Sequence, residues 1–555
     1  MSESLFHFNF EHDATGESKP SDYPISDVQY IYINDINQGN YSSGFVNFTN
    51  VSVIGSNFEK QYAWSEGYLQ VPYQVDLDLV QAAGGTAAFD PTFSYAGALS
   101  SKGSHHFLDW CSIKFNGVSC NRNTYYNNLI TNEALKTLNA DEYKLQADLL
   151  GHAWDEGRFM DLVANVGEVN NRVSKASNFT SVFNPSSQSN EGHVERMKKT
   201  NVDISDVGKS SISKFTGQTT ALLQDVQQMG VYSVTATKVV LCGMACVPLK
   251  YAHEFFGAMP SVASSVGFEL RMQMNIAQEN SFIASFTQAG VLNGCQANQV
   301  IGHTCPFLLS PVNATGSEGI KVANAGAGYS IRVTPRIGWG VSQAPPCRIH
   351  LPAVNYTTEY LKKIVKQPSY KLKYNDFYVD VDTAKTPNSQ IQRLFNVQLS
   401  RVRTLYILPF LSATANNPSA LTSVVSSAPN TCTPCRLKNF NIQIGGQNIF
   451  IEPQSFPNQF YVNSLYSILG EDVNGNSFKS KFASGQITKS MWENGYNVYT
   501  INMKKCADES QDNIAKSFQL TYQIEGGVAP LDFIYLMDYE VQMLLDRGSG
   551  EITSA

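Results

Sequence analysis

Few residues in this chain have types and spacings suited to chemistry, and each has a plainer role to be weighed beside it. Cys432-Thr433-Pro434-Cys435 has the spacing of a zinc half-site or of a dithiol redox centre. Zinc would need two further ligands at workable spacing, and no second pair of this spacing occurs in the chain. Thioredoxin-like chemistry would need a strand–helix–strand setting, which the surrounding sequence does not offer. The pair reads as loop thiols, with a late disulfide open to it once the protein leaves a reducing cell. Cys242 and Cys246 lie in an apolar run and read as small buried hydrophobes.

His152, Asp155 and Glu156 could share acid–base work. They follow a helical pattern, however, and a histidine near a helix C-terminus is favourable to the dipole on its own account. His303 with Cys305 is a metal pair without partners, and His105-His106 is a loop pair. Asn324 to Tyr329 carries Gly326 and Gly328 but lacks the Lys-Ser/Thr of a phosphate loop, so it reads as a turn. Arg196, Lys198 and Lys199 could touch nucleic acid, yet Glu191 and Glu195 sit beside them and a solvated loop accounts for all five. No Ser-His-Asp or Cys-His arrangement can be assembled from local sequence. The expected set of catalytic, cofactor-binding and metal-ligating residues is empty.

Composition points the same way. The 555 residues exceed what one hydrophobic core holds, so two or more domains are expected. Charged residues make up 16%, low against the roughly 25% usual in soluble domains, and polar uncharged residues and Tyr fill the gap. Such a surface suits broad contact with other protein surfaces, because charge is depleted at interface cores. A net charge of −7 gives the whole chain no electrostatic grip on nucleic acid. No apolar run is long enough for a transmembrane helix, and the N-terminus lacks the basic and apolar regions of a signal peptide. Reduced thiols are therefore expected. The sequons at Asn40, Asn47, Asn50, Asn178, Asn313 and Asn355 read as ordinary polar positions.

The elements that must position all this are mostly strands. Residues 1–25 read as an extended arm that orders against a partner. Alternation begins at Val28 and reaches a long strand from Gly67 to Val80, where Pro72 predicts an edge or a bulge. Asn139 to Trp154 has the clearest helical stripe. Val247 to Asn275 predicts a strand end, a Pro-Leu-Lys turn, the adjacent aromatics Phe255 and Phe256, a loop, and then a strand alternating Phe268, Leu270, Met272 and Met274 with polar residues. Segments 183–201 and 276–345 read as long loops. A second unit begins near Tyr356 with a short helix over 357–367, then strand-like runs separated by turn residues. Among these, 397–411 reads as one strand ending at Pro409, and Gly445-Gly446 as a hairpin turn.

Those passages resemble a known family. Val247 to Asn275 in the first unit, and Arg401 to Phe410, Phe440 to Gln447, Gly485 to Thr488, Trp492 to Tyr496 and Leu531 to Tyr539 in the second, resemble double-jelly-roll viral major capsid proteins. The character is that of polinton-like viruses, adintoviruses and virophages. The resemblance implies an all-β fold of two tandem jelly rolls of about eight strands each, with short helices in loops and linker. The expected division is an N-terminal arm with leading strands over 1–58, a first jelly roll over 59–356, a second over 357–547 and a flexible tail over 548–555. It further implies homotrimers tiling an icosahedral virion shell, penton and minor or cement proteins as further partners, no enzymatic activity and no cofactor, and leaves membrane contact open. The alternative is a carbohydrate-binding or glycoside-acting tandem β-sandwich protein, which would want a carboxylate pair and exposed aromatics in a cleft.

Overall fold

The computed structural model of the chain describes residues lying within 25–122, 230–411, 435–468 and 489–554, apart from short intervals in each span. The expected helix over 139–154, the loop 183–201 and the arm before Ile25 lie outside the described residues.

The first unit comprises β1 (Ile25–Asn34), β2 (Phe45–Thr49), β3 (Tyr68–Gln81), β4 (Leu108–Phe115), β5 (Val118–Arg122), β6 (Gly230–Val234) and β7 (Lys238–Pro248). Two short helices follow, α1 (Leu249–Ala252) and α2 (Glu254–Ala258), then β8 (Phe268–Met274), β9 (Phe282–Gln288), β10 (Val291–Ala297), β11 (Tyr329–Ile337) and β12 (Arg348–Tyr356). A large antiparallel sheet built around β3 faces a four-stranded sheet in the order β2-β8-β4-β5. The expected alternation in β8 holds: Phe268, Leu270, Met272 and Met274 are buried while Glu269 and Arg271 are exposed. They meet Leu69, Val71, Val75 and Leu77 of β3 in one core.

The second unit begins after α3 (Thr358–Lys366), close to the helix expected there. It contains β13 (Ser369–Lys385), β14 (Gln390–Leu399), β15 (Val402–Leu411), β16 (Arg436–Ile444), α4 (Pro457–Ile468), β17 (Tyr499–Asn502), β18 (Lys516–Glu525), β19 (Leu531–Asp546) and β20 (Ile552–Ser554). One sheet runs β13-β19-β15-β17, with β20 also on β19. The other runs β14-β18-β16 and ends on the short strand Gln447–Asn448. Between them lie Leu405, Ile407, Phe440, Ile442, Leu520, Phe533 and Tyr535. Arg393 of β14 reaches across to Asp380 of β13 with two hydrogen bonds, Nε to Oδ2 at 2.8 Å and Nη2 to Oδ1 at 2.7 Å. This planar fork pairing adds geometric specificity to the apolar contact. Gly445 and Gly446, with φ of +56° and +84°, form the expected two-residue hairpin turn between Ile444 and Gln447.

Several expectations are corrected. Pro72 sits in a central strand, with β7 along one flank of β3 and β11 and β12 along the other. On that second flank β11 pairs as far as Ile337 with Tyr73, and β12 resumes at Gln70 with Arg348. Pro72 falls in the handover between them. Its carbonyl there accepts the Gly338 N–H at 2.8 Å, and its missing N–H faces the same flank, where no ladder asks for one. Pro409 does not end its strand: β15 continues to Leu411, while β17 pairs only with Thr404 to Ile407.

The run 397–411 is two strands in different sheets, broken at Ser400-Arg401, where Arg401 takes a φ of +55°. The segment 276–345 holds β9, β10 and β11 rather than a continuous loop. The Pro-Leu-Lys turn runs from the end of β7 into α1, and Phe255 and Phe256 lie on α2, which takes in Gly257 and Ala258 of the expected loop. Ile552–Ser554, inside the stretch expected as a flexible tail, is a strand paired with Met543 to Leu545.

Gly243 in β7 is required by a neighbour across the sheet. A Cβ built there would lie 2.6 Å from the Tyr73 ring, and Tyr73 is itself fully buried. Gly243→Ala is expected to destabilise the chain by about 1–3 kcal/mol, as overpacking of a filled core does. Chemical unfolding at equilibrium checks this.

Candidate functional site

The place where the chain does something that neither sandwich could do alone is the joint between them. β13 and β19 pair almost end to end, from Ser369 with Asp546 to Lys385 with Leu531. Side chains alternate across a strand, so Leu372, Tyr374, Asp376 and Tyr378 share one face of β13. Phe533, Tyr535, Met537, Tyr539, Val541, Met543 and Leu545 share one face of β19. The two ends of this shared face serve different cores. Leu372, Tyr374 and Leu545 belong to the core of the first unit, while Phe533, Tyr535 and Met537 belong to that of the second. The opposite face carries Ile534 and Leu536 into a third cluster with Tyr406, Leu408 and Phe410, against which Tyr251 of α1 packs.

The helices α1 and α2 plug this joint. Pro248 ends β7 and sets the entry to α1. His253 is extended and its Nδ1 accepts the Phe255 N–H at 3.0 Å, capping α2. Two adjacent aromatics on so short a helix point to different places. Phe256 stacks on Trp64 at 5.9 Å in the first core, whereas Phe255 meets Tyr374 edge to face at 5.5 Å. Tyr374 also lies with its hydroxyl 3.2 Å from Cys120 Sγ. The Glu254 carboxylate accepts the Asn375 N–H at 3.3 Å, a bond from the first unit to the backbone of the second. Sequence reasoning singled out Phe255 and Phe256 but gave them no partner, because Tyr374 lies over a hundred residues away along the chain.

The residues that could have carried chemistry go elsewhere. Cys242 and Cys246 are buried, and burial, joined for Cys242 by Asp76, pushes each thiol up to about 12, so both are inert packing groups at neutral pH. Cys435 packs against the second core and its carbonyl accepts the Tyr499 hydroxyl at 2.5 Å, while Cys432 lies outside the described residues. His106 is buried, and its carbonyl accepts Asn275 Nδ2 at 3.2 Å. His152, Asp155, Glu156, Arg196, Lys198, Lys199, His303 and Cys305 lie outside the described residues, as do Asn324 to Gly328. Among the described residues no group of His, Cys, Asp and Glu could hold a metal ion, and no helix is long and apolar enough to cross a membrane. Trp64 and Trp492 are buried, one in each core, so neither is a sugar platform.

Among the surfaces that expose apolar side chains, one lies on each unit. On the outer face of the first unit, Tyr32, His350 and Tyr68 stand side by side across β1, β12 and β3, with Tyr68 stacked on His350 at 4.8 Å. Arg348 lies over the Tyr32 ring at 4.8 Å. Burial, then the charge of Arg348, holds the His350 imidazole below the ordinary histidine range, so His350 is uncharged at neutral pH. Tyr30, next along β1, is 78% exposed. On the second unit, Ile451 and Phe456 are 101% and 68% exposed. Their loop is nonetheless held firmly: Phe440 and Gln454 exchange two backbone bonds of 2.9 Å, and Asn441 Nδ2 donates to the Phe450 carbonyl at 3.0 Å.

No family model matches the chain, and no curated protein matches it. Among solved structures, a chain of the Sputnik virophage cryo-EM structure superimposes with a TM-score of 0.57 at 12% identity, covering 98% of this chain and 91% of that one. The mavirus major capsid protein gives a TM-score of 0.49 at 9% identity, covering 100% and 95%. The likeness to the Sputnik chain is one of fold and spans both units. The fold is all-β, two tandem β-sandwiches of the double-jelly-roll kind, as the resemblance in the sequence implied.

Because Tyr374 lies in the first core on a strand of the second, emptying its site is expected to weaken both units. Tyr374→Ala should cost about 3–5 kcal/mol, the range for emptying a buried aromatic site. Hydrogen exchange should accelerate both at Leu69 to Leu77 and at Phe533 to Met537. Acceleration confined to one unit would show that the strand pair does not couple the cores.

Proposed function

We propose that this protein is a major capsid protein that associates into trimers, which tile an icosahedral shell around a viral genome. The observation that carries the reading is the double-jelly-roll fold of both units, shared over 98% of this chain with a chain of the Sputnik virophage structure. A sandwich pair fused through β13 and β19 is suited to a shell. Each subunit presents two blocks in a fixed relation, so lattice contacts made by one block constrain the other. The partners proposed are further copies of the chain, then penton and minor or cement proteins, and the site of action is the virion. The work is mechanical, with no catalytic step.

The surface supports this reading. Low charge matches the charge depletion of interface cores. Tyr30 on the first unit and Ile451 and Phe456 on the second are held by ordered strands and loops, so burying them costs little further ordering entropy. A cyclic trimer needs two different, complementary patches on each subunit. Among the described residues each unit exposes apolar side chains, Tyr30 on the first and Ile451 and Phe456 on the second.

Light scattering of the purified protein tests the proposal. The expected mass is three times the 61.2 kDa of the chain. Tyr30→Glu and Ile451→Glu should each shift the population toward monomer without changing the thermal midpoint of the monomer. A wild-type protein that remains monomeric on concentration would contradict the reading.

A further inference from the structure

The shared face of β13 reads Leu372, Tyr374, Asp376, Tyr378, and the carboxyl stands where the strand leaves one core for the other. Its register partner on β19 is Tyr539. Asp376 Oδ2 accepts the Tyr539 hydroxyl at 3.2 Å, and Oδ1 accepts the Phe377 N–H at 2.8 Å. Among the described residues no Lys, Arg or His forms an ion pair with it. The titratable groups around it are Tyr374 on its own strand, Tyr539 on β19, Cys120 on β5, and Glu254 and His253 at the start of α2. A half-buried carboxylate that is charged here must be stabilised by two hydrogen bonds alone, on the strand pair that serves both cores.

We propose that Asp376 makes the joint between the two jelly rolls proton-responsive, tighter when the carboxyl is neutral and looser when it is charged. The neutral form needs no counter-ion, and the Tyr539 hydroxyl can turn from donor to acceptor to receive its proton. Burial, the largest influence, holds the carboxyl above the ordinary carboxylate range, and the two hydrogen bonds pull the other way without cancelling it. The folded chain therefore takes up this proton at higher pH than an unfolded Asp, whose ordinary value is about 3.9. The contribution of Asp376 to stability is then most favourable below that value and is lost as pH rises through the folded one. The diagnostic quantity is the difference between wild type and a variant lacking only the Asp376 charge.

Hydrogen exchange of the full chain, corrected for intrinsic rates, would be followed from about pH 3.5, below the ordinary value of an unfolded Asp, to about pH 7.5. Wild-type segments 372–378 and 539–545 should lose protection severalfold relative to Asp376→Asn as pH rises, with the variant keeping its acid-level protection. Tyr539→Phe removes a bond that favours the charged form, so its transition should move to higher pH than that of wild type. Superimposable profiles for wild type and Asp376→Asn would overturn the proposal. Should Asp376→Asn fail to fold, an unchanged transition in Tyr539→Phe would overturn it equally.

Discussion

Everything in this molecule depends on one pair of strands that belongs to two cores. β13 and β19 run together for nearly their whole length, with aromatic and aliphatic side chains along the shared face. One end of that face is walled by the first unit and the other by the second. Two sandwiches joined only by a linker would be free to move against each other, since interfaces between domains of one chain are usually modest and polar. Here the linker helix α3 is incidental. The connection is a hydrogen-bonded ladder with a side-chain plug, Phe255 against Tyr374, and a backbone bond to Glu254.

The sequence made the sandwiches legible and hid the joint. Period-two alternation marked β8 correctly, because one of its faces packs inward and the pattern is local. The Gly445-Gly446 turn was legible for the same reason. Prolines misled where the reasoning treated a strand as wholly central or wholly edge. Pro72 and Pro409 sit inside long strands, each beside a place where pairing on one flank stops, and this depends on where neighbouring strands end. Ser400-Arg401 hid a change of sheet within one apolar run, since a positive φ at Arg leaves no compositional mark.

The aromatics Phe255 and Phe256 stood out without a meaning, because the partner that gives Phe255 its role lies across the domain boundary. Asp376 was invisible as a special position. In sequence it is one polar residue in an alternating strand, and only the register with Tyr539 shows that it lies on the core-facing row. Of the residues first weighed for catalysis, Cys242, Cys246 and His106 prove to be buried members of the scaffold. In the proposed function the work falls to the surface and to the joint, and neither is written as a motif.

A chain of two blocks joined through a shared strand pair, with few charged residues, is suited to repeated contact with copies of itself. The most direct measurement of that claim is cryo-electron microscopy of the protein expressed alone and concentrated. The account predicts three-fold particles of nearly hexagonal outline, with six β-sandwich densities each, that join into sheets or closed shells. A field of isolated single subunits showing two independently oriented lobes would contradict both the assembly and the joint on which it rests.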